Sequence, residues 1–154
     1  MVEQLICNQF VVGSTPIGGS VTNYIKEIPL KLILILAGIY NIVWGSVAIL
    51  FPKFGFDIAG MEYPKYLEFW QCIGMIVGVY GIGYLIAATD PIRHWPITLV
   101  GLIGKILGPI GFVGAIIQEK LPLSFGWNII TNDLLWWIPF SYILFKAFRR
   151  EKDL

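Results

Sequence analysis

Lys105 is the single charge in an otherwise apolar stretch, Trp95–Ile117, WPITLVGLIGKILGPIGFVGAII. An ammonium in such a setting can meet an ion, pass a proton or bind an anionic substrate. It can also be purely structural, satisfied by helix-end carbonyls or neighbouring hydroxyls. Its candidate partners elsewhere in the chain are Asn41, Tyr80, Tyr84 and Asp133. Asp133 is the charged candidate, but a rise of 1.5 Å per residue sets it about 10 Å from Lys105 in depth. Asn132 and Asp133 also have the residue types that cap a helix N-terminus, and a cap at the start of the fourth helix is the simpler expectation. Glu68 and Gln71, with Cys72 beside them, mark either a polar vestibule or an ordinary interfacial helix start.

Other chemistries lack their residues. His94 is the only histidine, so the chain cannot supply two histidine ligands to a b-type haem, and no Cys/His/acid cluster has metal spacing. Cys7 and Cys72 form no CxxC, and on the topology below they lie on opposite sides of the membrane, which argues against thiol–disulfide exchange. There is no phosphate loop, no nucleophile with its base and no paired intramembrane carboxylates. The pattern supports neither a self-contained enzyme nor a bound cofactor or metal.

Four segments must position these residues. An apolar run the length of Trp95–Ile117 can cross a bilayer as a helix, which takes about 20 residues. Within it Gly101, Gly104, Gly108 and Gly111 recur at steps of 3 or 4 and share one helical face, with Lys105 beside them. The first span is expected over residues 32–51, after a start at Pro29, and the second over 69–89. Gly74, Gly78 and Gly81 form a face on the second, and Gly38 and Gly45 one on the first. Such faces let helix backbones approach closely in a membrane, so the three should meet one another. Asp90 and Pro91 open a short turn that makes the second and third helices antiparallel neighbours. The fourth span is expected over 127–145, with a kink at Pro139. The connection 52–66, rich in aromatic residues, should fold over the outer end of the bundle, while 1–27 reads as an interfacial arm and 149–154 as a charged tail.

The expected fold is thus all-α: an antiparallel four-transmembrane-helix bundle with both termini cytoplasmic. Composition agrees, since 14% of residues are charged against about 25% in a soluble domain. Orientation rests on basic residues. Seven (Lys26, Lys31, Arg93, Lys146, Arg149, Arg150 and Lys152) fall on the side of the termini and three (Lys53, Lys65 and Lys120) on the other. A net charge of +1 gives no case for nucleic acid. The partners expected are the lipid bilayer and either other membrane subunits or further copies of the chain.

Two stretches carry a resemblance: WQCIGMIVGVYGIGYLIAATDPIRHWPITLVGLIGKILGPIGF, residues 70–112, and NDLLWWIPF, residues 132–140. They resemble small bacterial four-helix inner-membrane proteins, and the match would cover roughly residues 32–148. The glycine-rich build is also similar to the DoxX-like group, whose members are small subunits associated with membrane quinone and sulfur redox complexes. The resemblance implies a multi-pass protein of the bacterial inner membrane, with an accessory role in a larger membrane complex such as a respiratory one. The residues themselves keep an alternative open, an oligomeric channel or transporter for ions or small solutes that uses Lys105.

Overall fold

The computed structural model describes residues 17–152, with side chains described over 28–150, and the described residues contain helices and turns but no strand. Cys7 and residues 1–16 of the expected arm lie outside them. Helix α1, Ile17–Leu50, begins well before Pro29, which lies inside it and not at its start. α2, Phe54–Ala59, is short and ends at Gly60, whose φ of 65° is the left-handed conformation that glycine adopts without penalty. α3 spans Leu67–Ala87 and α4 spans Trp95–Ile117. After a 3₁₀ turn, Leu123–Phe125, the chain continues as α5, Gly126–Ile129, a π-turn, Ile130–Leu134, and α6, Leu135–Lys152.

Among the described residues, three helical stretches are long and apolar enough to cross a membrane: Ile28–Leu50 of α1, Leu67–Ala87 and Trp95–Ile117. Their large apolar side chains point outward, as Ile103, Leu107, Ile110 and Val113 do on α4. In water such a surface would be costly; against lipid it is the expected exterior. The fourth expected span differs. It is broken by the π-turn, and the last turns of α6 carry Lys146, Arg149 and Arg150, so no single α-helix there combines the length and the hydropathy. The irregularity lies at 130–134, and α6 runs on through Pro139 to Lys152.

Asn132 and Asp133 therefore do not cap a helix. They sit inside the π-turn with helical residues on both sides, and the helical course begins earlier, at Gly126. A cap needs a non-helical residue at the boundary, and Ile129 and Leu135, which flank the turn, both have right-handed helical backbones.

α1 and α3 pack backbone to backbone. A side chain added at Gly81 would lie 2.7 Å from the Gly38 carbonyl oxygen, and one at Gly45 would collide with the Gly74 carbonyl. Gln71 at the start of α3 donates from Nε2 to the Ile49 carbonyl at 2.8 Å, satisfying one of the orphan acceptors at the C-terminus of α1. The connections at this end are tied together. Ser124 Oγ donates to the Ala59 carbonyl at 2.6 Å, and Phe56 meets Trp70 with ring centroids 5.1 Å apart. At the opposite end Leu30, Leu34, Ala87, Phe140 and Ile143 form an apolar core, and Trp95 meets Phe148 at 5.0 Å.

Candidate functional site

Between these two ends lies a cavity of about 180 Å³. Its walls include Asn41 of α1, Tyr80 and Tyr84 of α3, Lys105 of α4 and Asp133 of the π-turn. The fold thus brings to one place all five residues singled out for polar intramembrane chemistry. Asn41, Lys105 and Asp133 are buried, with 3%, 5% and 6% of their surfaces exposed. Tyr80, at 37%, and the exposed Gly104 stand where the cavity opens between α3 and α4.

The geometry follows from three local irregularities. First, α4 presents glycines where side chains would close the space. A Cβ at Gly101 would strike the Tyr84 hydroxyl, and one at Gly108 would lie 2.8 Å from Asp133 Oδ2. Gly104 and Gly111 have nothing within 4 Å of that position. The α4 glycine face therefore does not meet another helix backbone as α1 and α3 meet. It makes room for a tyrosine and a carboxylate.

Second, the π-turn offers its carbonyls to side chains. Lys105 Nζ donates to the Asn132 carbonyl at 2.5 Å, and Trp136 Nε1 donates to the Thr131 carbonyl at 3.2 Å. The wider turn carries one extra residue in the register, which suits this use. The Lys105 ammonium also lies 5.9 Å from the centroid of the Trp136 ring, inside cation–π range. Third, Pro109 has no N–H to give the carbonyl four residues earlier, and that carbonyl belongs to Lys105. Trp137 Nε1 donates to it instead, at 3.0 Å, joining α6 to the middle of α4.

Donors and acceptors both face the cavity. An ammonium has three protons, and the Asn132 carbonyl takes one of those on Lys105. Asp133 Oδ1 accepts from Asn132 Nδ2 at 3.1 Å, and its carboxylate lines the same cavity as the Lys105 ammonium. The Oδ1 atoms of Asn41 and Asn132 are buried without a hydrogen-bond partner, which leaves two acceptors for an occupant. Pockets for drug-sized ligands begin at about 300 Å³, and liquid water takes about 30 Å³ per molecule. The space therefore suits a small ion, a few waters or a solute of few atoms.

The remaining candidates fall elsewhere. Gln71 is engaged with Ile49 at the far end of α3, while Glu68 and the free Cys72 are exposed there. His94 lies in the opposite turn, its Nδ1 3.5 Å from Thr89 Oγ1, and the neighbouring Arg93 N–H donates to Asp90 Oδ1 at 3.1 Å. By sequence Trp137 reads as an interface anchor or a packing residue, and Pro109 does not stand out. The signal was there, a proline four residues after a buried lysine, but its tryptophan donor is visible only once α4 and α6 are packed.

No family model, no curated protein and no solved structure matches this chain.

Proposed function

We propose that the chain is a small multi-pass membrane protein that binds a small ion or polar solute at Lys105 and conducts or transports it. The observation that carries this reading is the cavity itself, in which a buried ammonium, a buried carboxylate and two unpaired amide oxygens converge between apolar helices. Ionisable groups are expensive at membrane depth and face a bundle interior or a water-filled path where they do occur. The reading takes the segment from Gly126 to Phe145 as a fourth crossing. Support for it comes from Asn128, bonded to Trp44 near one end of α1, and from Phe148, packed on Trp95 at the other end of the molecule. Four helices leave too little interior for a continuous pore, and the cavity opens sideways between α3 and α4. A second copy against that opening would complete the path. The membrane is the bacterial inner membrane, as the sequence resemblance implies, with both termini in the cytoplasm.

Purified protein in liposomes tests this by the flux of protons, small cations and small anions. Wild type should move one of these classes, and Lys105→Gln should abolish the movement while leaving the helical content unchanged. Wild-type vesicles no leakier than empty ones towards all three would end the reading.

The second reading, an accessory subunit of a larger membrane complex such as a respiratory one, is favoured by a different observation. Gly104 and Gly111 are exposed two turns apart on α4 with open space before them, as a helix awaiting a neighbour would present. Purification from native membranes in mild detergent separates the two. A stable heteromeric complex supports the second reading, and recovery of this chain alone supports the first.

A further inference from the structure

A second cavity, of about 260 Å³, lies at the α2 end of the molecule and differs in character. One wall is a single face of α1, Tyr40, Val43, Trp44, Val47 and Ala48, continued by Phe51 just past its end. Steps of 3 and 1 along a helix keep these residues in line, and at 1.5 Å per residue the wall runs for about 16 Å. Trp70 and Phe125 face it, with ring centroids 6.2 Å apart. Asn128, the amide in the lining, is already engaged, since its Oδ1 accepts from Trp44 Nε1 at 2.9 Å. The groove is therefore long, narrow and apolar, with little to offer a polar ligand.

Its mouth is not apolar. Phe51 and Phe54 also border an outer hollow that holds Lys53 and Asp57. Tyr63 organises these two charges. The Lys53 ammonium sits 5.0 Å from the centroid of its ring, and its hydroxyl donates to Asp57 Oδ1 at 2.5 Å. That bond to a carboxylate holds the Tyr63 phenol above its ordinary pKa, so the proton stays on the tyrosine. A cation and an anion are thus presented side by side where α1 leaves its apolar stretch, at the level of the headgroups.

We propose that this groove and its rim bind one zwitterionic phospholipid of the surrounding bilayer. One acyl chain lies along α1 from Phe51 to Tyr40, the phosphate faces Lys53 and the headgroup ammonium faces Asp57. The direction of the groove supports an acyl chain, because it starts at the polar rim and descends along a membrane-crossing helix. The paired charges support a phosphoethanolamine head, because an anionic lipid would set a second negative charge against Asp57.

Native mass spectrometry of the full chain, released from nanodiscs of phosphatidylethanolamine or of phosphatidylglycerol, tests the assignment. One phosphatidylethanolamine per chain should survive release, at least tenfold more often than phosphatidylglycerol. Val47→Trp fills the groove and should remove that lipid. Gly55→Leu is a second filling variant, since a Cβ at Gly55 makes only an ordinary contact, 3.8 Å from Trp70 Cζ2, so the fold should tolerate it. Circular dichroism and thermal melting verify that the variants fold. Asp57→Lys should reverse the headgroup preference towards phosphatidylglycerol. Equal retention of both lipids, retention unaffected by both filling variants, or recovery of the wild type with detergent alone would overturn the proposal.

Discussion

The two helix pairs of this molecule use the same glycine spacing for opposite ends. Between α1 and α3, Gly38, Gly45, Gly74 and Gly81 bring carbonyls of one backbone against the other, and the seam has no room for a side chain. On α4, Gly101 and Gly108 face the Tyr84 hydroxyl and the Asp133 carboxylate, and Gly104 faces open space. A small residue in a membrane helix removes a side chain. Whether a backbone or a polar group enters the vacated space depends on what the partner has to satisfy. α3 brings a regular helix with its backbone already bonded. The π-turn brings carbonyls that need donors and a carboxylate that needs a cation.

Substitution at the two seams should separate these uses most sharply. Gly45→Leu places its first carbon against the Gly74 carbonyl and forces α1 from α3, so it should cost about 3 kcal/mol, the upper part of the usual overpacking range, or prevent assembly. Gly104→Leu enters open space and should change stability by no more than about 0.5 kcal/mol, as a surface substitution does, while narrowing the cavity mouth. Unfolding of both variants in detergent, followed by circular dichroism, measures the difference. Equal damage at the two sites would mean that α4 is packed as tightly as α3.

The polar half has its own decisive residue. Lys105→Met removes the cation and leaves Asp133 buried beside Gly108 and Asn132. Breaking one side of a buried charge pair typically costs about 3–5 kcal/mol, whereas replacing both sides is often neutral. The single variant should therefore unfold at distinctly lower denaturant or temperature, and Lys105→Met with Asp133→Asn should recover more than half of the loss. A Lys105→Met protein as stable as wild type would show that Lys105 and Asp133 do not depend on one another.

Much of this was legible in the sequence, and the reasons are local. Three apolar runs of bilayer length were plain, and so was a lone lysine among glycines that had to turn inward. Tyr80, Tyr84, Asn41 and Asp133 could be named as its company because few other polar residues lie at that depth. By residue type Asn132 and Asp133 read as a cap, whereas they lie inside the π-turn. Residue type records only a preference for helix ends, and the π-turn that uses them depends on Lys105 and Trp136 reaching its carbonyls from outside. The expected start of α1 at Pro29 fails for a related reason. A proline is favoured at the first turn of a helix, but Pro29 sits inside one whose earlier residues, Ile17 onwards, carry weaker apolar character. The role of the α4 glycines needed the partner side chains, which periodicity does not reveal.

A milder loss than that of Lys105→Met tests how the polar half is held together. Pro109 deprives the Lys105 carbonyl of its helical donor, and Trp137 Nε1 supplies one from α6. Trp137→Phe keeps most of the ring and loses the donor, leaving a carbonyl unpaired inside the membrane. An unsatisfied buried acceptor costs about 1–3 kcal/mol, so thermal unfolding should fall by a correspondingly modest amount. Pro109→Ala restores a backbone N–H four residues after Lys105 and removes the ring that opposes a regular helix. In the Trp137→Phe background it should return part of the lost stability, and the gain should exceed that of Pro109→Ala in the wild type, where the carbonyl already has its indole. The double-mutant cycle isolates this one contact, because both substitutions act on the same oxygen from different helices. Strict additivity would mean that the Trp137 indole and a restored N–H at position 109 do not compete for the Lys105 carbonyl, and that the contact between α4 and α6 does not depend on the missing helical bond.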